Sequence, residues 1–339
     1  MKAVYIKSAV AISAQDTFSD NRIPEELTPA TDSVANALQP EYKDYISPAS
    51  ARRMAPAVKM GIAAASKALS LAGISNPDGI IAATGMGCLM DTEKFLNNIL
   101  ENKEEFITPT SFTQSTHNTV AGQIGIMLDC KAYNSTYVHG SLSFESALVD
   151  AQLQIEEGAA KNILVGAVDE LGIEFHQHTS LRNSQRKSTT LPAGEGAAFF
   201  VISDDKEQAM AQLTALETLR NCGIDQLQTR LHTFLTQSKC KLADIDLLVL
   251  GGNGGKWDTY YDRLRAFFPN IRDINYKQLT GEHHSASAFA CWLASILLSG
   301  KSRLNEWDNR ITDNTKPRLI LLYNQSEGMN HSFMLLKEC

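Results

Sequence analysis

A chain of 339 residues, 43% hydrophobic and 20% charged, is long enough to bury one large core or two medium ones. Its formal charge of −7 excludes a general nucleic-acid surface, which needs clustered Lys and Arg; Arg52-Arg53 and Arg182 to Lys187 are short runs that read as solvated faces or internal ion pairs. No apolar run is long enough to span a bilayer, and Met1 to Ile6 meets Lys7 too soon for a signal-peptide core, so a cytoplasmic protein is expected.

The first predicted element is an Ala-rich amphipathic helix from about Pro56 to Ala72, ended by Gly73. Gly79-Ile80-Ile81-Ala82-Ala83 reads as a buried strand ending in the turn Thr84-Gly85-Met86-Gly87. Gly85 to Met90 lacks the third Gly of a dinucleotide fingerprint and no G-x-x-x-x-G-K-[ST] occurs, so such turns are strand ends rather than phosphate cradles. Cys88 sits in this turn among apolar neighbours and reads as packing. It and Cys130, Cys222, Cys240, Cys291 and Cys339 form no C-x-x-C pair, so reduced thiols are expected rather than disulfides or a zinc site.

From Tyr137 to Leu148 the chain reads Y-V-H-G-S-L-S-F-E-S-A-L. A β-prone stretch, about Ala132 to Val138, breaks at Gly140 before a helix from Phe144 to Glu157, which puts Ser141 on a strand-to-helix turn of the kind that presents nucleophiles. A strand from Asn162 to Val168 follows. After Asp204-Asp205 the order repeats. A helix from Ile224 to Gln237 leads to the strand Asp246 to Leu250 and the turn Gly251 to Gly255; a further strand and turn lead to a helix from Ser285 to Leu298, closed by Gly300, and a strand from Arg318 to Tyr323. Two similar α/β halves are predicted, 1–205 and 206–339. Ser285 to Ala294 carries no charge over several turns and must be buried between sheets, which implies a layered architecture with helices in the middle.

Five strings, in order, resemble the β-ketoacyl-acyl-carrier-protein synthases, condensing enzymes of the thiolase fold. Ala51-Arg52-Arg53-Met54 with Ile62 to Leu69 is similar to "RRM…AAxxAL"; Pro109 to Phe112 with Asn118 to Ile124 to "PxxF…N…AGxI". Leu191 to Ala198 resembles the "xxGEGAGA" hairpin and Gly328 to Ser332 the "GGxNAS" end; beside these strings, the spacing from Ser141 to Gly158 is similar to "ACxSSLxAL…G". The resemblance implies a layered αβαβα fold of two pseudo-repeated halves and no cofactor. The family performs decarboxylative Claisen condensation with a Cys at a helix N-terminus and two His that polarise the extender thioester. Its Cys position falls on Ser141, its first His ("HGT") on Asn253, and its second ("KxxxGHxxGAxG") on Glu282, with Lys277 and Ser285 to Ala288 keeping the spacing. The "GFGG" gate is replaced near Asn324 to Glu327, the approach between Val168 and Leu191 lacks "PFDxxRxGF", and the segment from Asp204 to Asp244 is shortened where family loops cap the acyl tunnel.

A serine hydroxyl is a poor nucleophile without a positioned base, and neither Asn253 nor Glu282 reproduces an imidazole pair. The resemblance therefore points to a non-catalytic subunit, similar to a chain length factor, that pairs with an active ketosynthase or with itself and meets an acyl carrier protein in fatty-acid, polyketide or aryl-polyene synthesis. Lys277, Glu195 and His284 are assigned to a supporting polar network. The alternative is an active acyltransferase or synthase in which Ser141 carries the acyl group, with Glu282 or His284 as base. Lesser readings are a metal site at Glu282, His283 and His284, a one-residue shift returning His283 to the catalytic place, and a Ser-His-carboxylate hydrolase built from Ser141 with His139 or His284 and Glu282. His117, His176 and His178 are expected at loop or cleft edges. The strand before Ser141 is expected at a dimer edge, with Tyr133, Tyr137 and the segment from Thr108 to Asn118 near that surface.

Overall fold

The computed structural model describes residues 3–30, 33–103, 105, 109–307 and 315–339; Thr108 lies outside them. Ten strands form one sheet: β1 (Val4–Ile12), β2 (Gly79–Ala83), β3 (Tyr133–Tyr137), β4 (Asn162–Asp169), β5 (Gly196–Ser203), β6 (Ala211–Arg220), β7 (Leu247–Leu250), β8 (Arg272–Asn275), β9 (Leu319–Ser326) and β10 (Asn330–Lys337). Their order is β8-β7-β9-β10-β6-β1-β5-β4-β2-β3. Among the described residues only Val4, Tyr5 and Ile6, paired with Leu213, Gln212 and Ala211, hold the two five-strand halves together as a ladder.

The halves repeat one another strand for strand. In the first, β2 is parallel to β3 and β4, and β5 is antiparallel to β4 and β1. In the second, β7 is parallel to β8 and β9, and β10 is antiparallel to β9 and β6.

Six helices set the layers: α1 (Pro56–Ala72), α2 (Leu89–Glu101), α3 (Ser143–Glu156), α4 (Ile173–Arg186), α5 (Leu227–Gln237) and α6 (Ala286–Ser299). Pro56 opens α1 and Gly73, at φ +67°, closes it in the left-handed conformation glycine adopts without strain. All thirteen residues from Ala286 to Leu298 of α6 are buried. That fits a helix with no polar face, and it lies with α3 in the apolar layer between the half-sheets, beside Phe144, Phe200, Phe289 and Trp292. A second apolar layer joins α1 to the outer face of the first half. A third joins α5 and the helix Thr259–Arg265 to the outer face of the second. Three apolar layers between five structural ones make the αβαβα sandwich.

Three antiparallel strands, β1, β6 and β10, lie beyond those read from the sequence. So do α2, α4 and the helices Pro109–Ser115 and Thr119–Met127. β3 ends the sheet, paired on one side only. It is flanked by Thr119–Met127 and by α3, which expose Ile126, Met127, Val149 and Leu153, while Tyr133 and Val138 are exposed at the strand itself.

Candidate functional site

Ser141 stands where β3 gives way to α3. Gly140 turns the chain at φ +55°, and a single 3-10 turn, Gly140–Leu142, leads into the helix. The Ser143 hydroxyl locks that turn, lying 2.7 Å from the Gly140 carbonyl and 2.9 Å from that of Thr84 while it accepts the His139 N–H at 2.8 Å. The half-buried Ser141 Oγ accepts a long hydrogen bond, 3.4 Å, from Asn330 Nδ2. His139 Nδ1 is engaged with Ser146 Oγ at 3.1 Å, so the Ser141–His139 pairing is not formed.

Glu282 follows Gly281, whose φ of +70° ends the short helix Lys277–Thr280. Its backbone joins the hairpin before β5: its N–H donates to the Pro192 carbonyl at 2.8 Å and its carbonyl accepts the Gly194 N–H at 2.9 Å. Gly194 is required there, because a Cβ would lie 2.1 Å from the Thr280 carbonyl oxygen. The carboxylate is held from behind by Lys277 Nζ, 3.0 and 3.1 Å from its two oxygens, and from the side by Asn253 Nδ2 at 2.9 Å. The Lys277 side chain is 4% exposed and that of Glu282 is 27% exposed. Asn253 is itself oriented: its Oδ1 accepts the Gly255 N–H at 3.1 Å, and Asp258 accepts the N–H groups of Asn253 and Gly254.

Beside this network Asp169, at the end of β4, accepts four hydrogen bonds: Thr84 Oγ1 and the Gly85 N–H on one oxygen, the Ser285 N–H and hydroxyl on the other. Burial alone would push its carboxyl up. The His283 imidazole, the His284 charge and the Ser285 hydroxyl outweigh it and hold the group well below the usual carboxylate range. His283 Nδ1 is 3.6 Å from Asp169 Oδ2, so the ring faces Asp169 without a close hydrogen bond. The neighbouring Glu170 behaves oppositely. Burial raises its carboxyl to about 7, against the backbone N–H groups of Ala57 and Met90 that it accepts and with the charges of Asp91 and Glu195 adding to the rise.

Ser141, Asn253, Glu282, His283 and His284 line one cavity of about 440 Å³. The sequence reading thus named five residues that the fold brings to one place. Glu195 takes another part: its oxygens accept the N–H groups of Ala37 and Leu171, pinning two segments. The outer wall is α4, which has no buried residue and contributes Phe175, His176, Thr179 and Arg182. His176, expected at a loop or cleft edge, is on this helix. Without an apolar stripe, α4 leaves no helical periodicity to read. Asp169-Glu170 was also passed over, although two acids closing an apolar strand are a readable signal of polar groups buried for a purpose. The far rim is Gln325, Ser326 and Glu327, where the sequence reading placed the lost gate.

Under the floor, one turn into α3, Glu145 is fully buried. One of its oxygens accepts the Ser332 hydroxyl at 2.9 Å, the other has no partner among the described residues, and burial raises its carboxyl.

A five-layer sandwich of two repeated halves, with a polar cavity where strand-to-helix turns of both halves meet, defines a protein of the thiolase-like condensing-enzyme class. Residues 27–246 match the family model for the N-terminal domain of beta-ketoacyl synthase, and the chain belongs to that family. It is similar over its whole length to solved structures. A chain of the ishigamide ketosynthase/chain length factor is 16% identical with a TM-score of 0.79, the match covering 100% of this chain and 99% of that one. A beta-ketoacyl synthase from Burkholderia phymatum STM815 is 15% identical with a TM-score of 0.80, over 100% of each chain. A chain of the ketosynthase ApeO in complex with its chain length factor ApeC, from Xenorhabdus doucetiae, is 14% identical with a TM-score of 0.74, over 100% of this chain and 98% of that one. At these identities the likeness shows the fold. No curated protein matches the sequence. Among the described residues no helix is long and apolar enough to cross a membrane.

Proposed function

We propose that this chain is a non-catalytic, chain-length-factor-like subunit that pairs with an active ketosynthase. Ser141, Asn253 and Glu282 stand for the family's Cys and two His in this reading. One observation carries it: Glu282 is bound by Lys277 and Asn253, so the group at the second His position is a fixed, paired carboxylate. Both of its oxygens are engaged by these two side chains. Among the described residues the Ser141 hydroxyl is hydrogen-bonded only to the Asn330 amide, which cannot take its proton. The named partners of the ishigamide and ApeO structures support the pairing by analogy. The partner, or a second copy, would add its own strand to β3, covering an edge that is otherwise open, and the interface would bury at least roughly 2,000 Å². An acyl carrier protein would deliver the thioester in a cytoplasmic fatty-acid, polyketide or aryl-polyene pathway. The halves would divide near residue 205.

A second reading, an acyltransferase acting through Ser141, has one observation in its favour: His283 and Asp169, an imidazole facing a carboxylate, line the same cavity as Ser141. Exposure of the isolated protein to acyl-thioesters, followed by mass spectrometry of the peptide 137–148, separates the two. An unmodified peptide is expected. An acyl adduct on Ser141, lost in Ser141→Ala and accompanied by turnover without a partner, would overturn the subunit reading.

A further inference from the structure

The charges around the cavity decide which acyl groups can enter it. We propose that Glu282 is a specificity-determining residue that makes the cavity reject thioesters carrying a free carboxylate and accept neutral ones. The inference rests on reading the cavity as an acyl-thioester pocket.

Four carboxyl-bearing residues line the space: Asp169, Glu170, Glu282 and Glu327. Among the described residues, the one lining residue with a permanent positive charge is Arg182, exposed on α4. The cation behind the floor, Lys277, is not free to receive a ligand, because both oxygens of Glu282 lie within 3.1 Å of its Nζ and the side chain is buried behind them. Asn253 is spent as well, with Nδ2 on Glu282 and Oδ1 on the Gly255 N–H. An anionic acyl group reaching the floor would meet the Glu282 carboxylate at like charge and find no unpaired lysine or arginine beside it among the described residues. Confined together at the floor, two like charges repel. A neutral acyl group meets no such opposition. The imidazoles of His176, His283 and His284 also line the cavity, and His283 is turned toward Asp169.

The test is calorimetric titration of the full chain with acetyl-pantetheine and malonyl-pantetheine at pH 8. The wild type should bind the acetyl compound more tightly by at least about tenfold. Glu282→Gln removes the repelling charge and uncovers the Lys277 ammonium. It should tighten malonyl binding by about tenfold or more while the acetyl compound moves by less than about twofold. In Lys277→Met/Glu282→Gln, which has neither charge, the two ligands should bind alike. Malonyl binding to the wild type as tight as acetyl binding, a comparison that needs no variant to fold, would overturn the proposal. So would an unchanged ratio in a folded Glu282→Gln protein. Binding of neither ligand by a chain that still pairs with a ketosynthase would overturn the proposal and leave the subunit reading standing. Selective binding by a chain that pairs with nothing would support the proposal and remove that reading.

Discussion

Lys277 and Glu282 test the physical account of the cavity floor because breaking their ion pair from one side or the other should not cost the same. At 3.0 Å the pair is worth about 5 kcal/mol of Coulomb energy at an effective dielectric near 20, most of it offset by desolvation of the lysine. Glu282→Gln leaves an ammonium whose side chain is 4% exposed with only neutral acceptors, a state expected to cost about 2–3 kcal/mol. Lys277→Met leaves a carboxylate that is 27% exposed and open to the cavity, where water and the Asn253 amide can still solvate it, so the cost should be about 1–2 kcal/mol. The double variant carries neither charge and should fall within about 1 kcal/mol of the wild type, a coupling of about 2–3 kcal/mol. Urea unfolding followed by tryptophan fluorescence reads all three, since Trp292 is fully buried in the layer between the half-sheets. If Lys277→Met proves the more costly single change, or the two costs simply add, the floor is not organised around a buried cation that needs its carboxylate.

Three other outcomes are expected. On the proposal that β3 is the pairing edge, Tyr137→Lys puts a charge there and should convert the dimer to monomer in light scattering, with solubility retained. Glu170 is raised to about 7 in the fold, above its unfolded value, so its contribution to stability is complete at pH 4 and lost as pH rises through 7; between pH 5 and 8 the wild type should lose up to about 3 kcal/mol relative to Glu170→Gln. His331 is fully buried, and burial lowers its imidazole below the ordinary range despite the Gly328 carbonyl it meets, so protons favour the unfolded chain. Stability should be intact above about pH 6.5 and fall with pH below that, and His331→Phe should flatten the decline in thermal melts taken from pH 7 to 5.

What could be read from the sequence follows from which segments carry a one-dimensional signal. The parallel strands β2, β4, β7 and β9 are apolar runs because both faces are covered, and α6 has no polar face; both patterns are visible without a structure. The strand β6 was missed because its middle, Thr214 to Arg220, faces partly outward and mixes polar with apolar residues, a pattern that a loop shares. Ser141, Asn253 and Glu282 were found by spacing from retained neighbours. Spacing could not show that Lys277 and Asn253 both turn onto Glu282, because the three approach from different segments and meet only when the hairpin before β5 closes against Gly281.

The same residues show what joins the two halves around the cavity. Among the described residues the two half-sheets are joined as a ladder at only three residue pairs, so the seam between the halves depends on side chains. Many of the polar contacts described at the site cross it: Ser141 to Asn330, Glu145 to Ser332, Asp169 to Ser285, Asn253 to Thr190, and Glu282 to Pro192 and Gly194. In each, a residue of one half is bonded to a residue of the other. An imidazole at 282 that must gain and lose a proton would carry no fixed charge for Lys277 to pair with. A carboxylate there pairs with Lys277 and Asn253, and together with the backbone bonds of Glu282 to Pro192 and Gly194 it joins the lysine helix, the Asn253 loop and the hairpin before β5. The Glu282 side chain thus ties the lysine helix to the Asn253 loop within the second half, while its backbone, whatever the side chain, makes the bonds across the seam to Pro192 and Gly194.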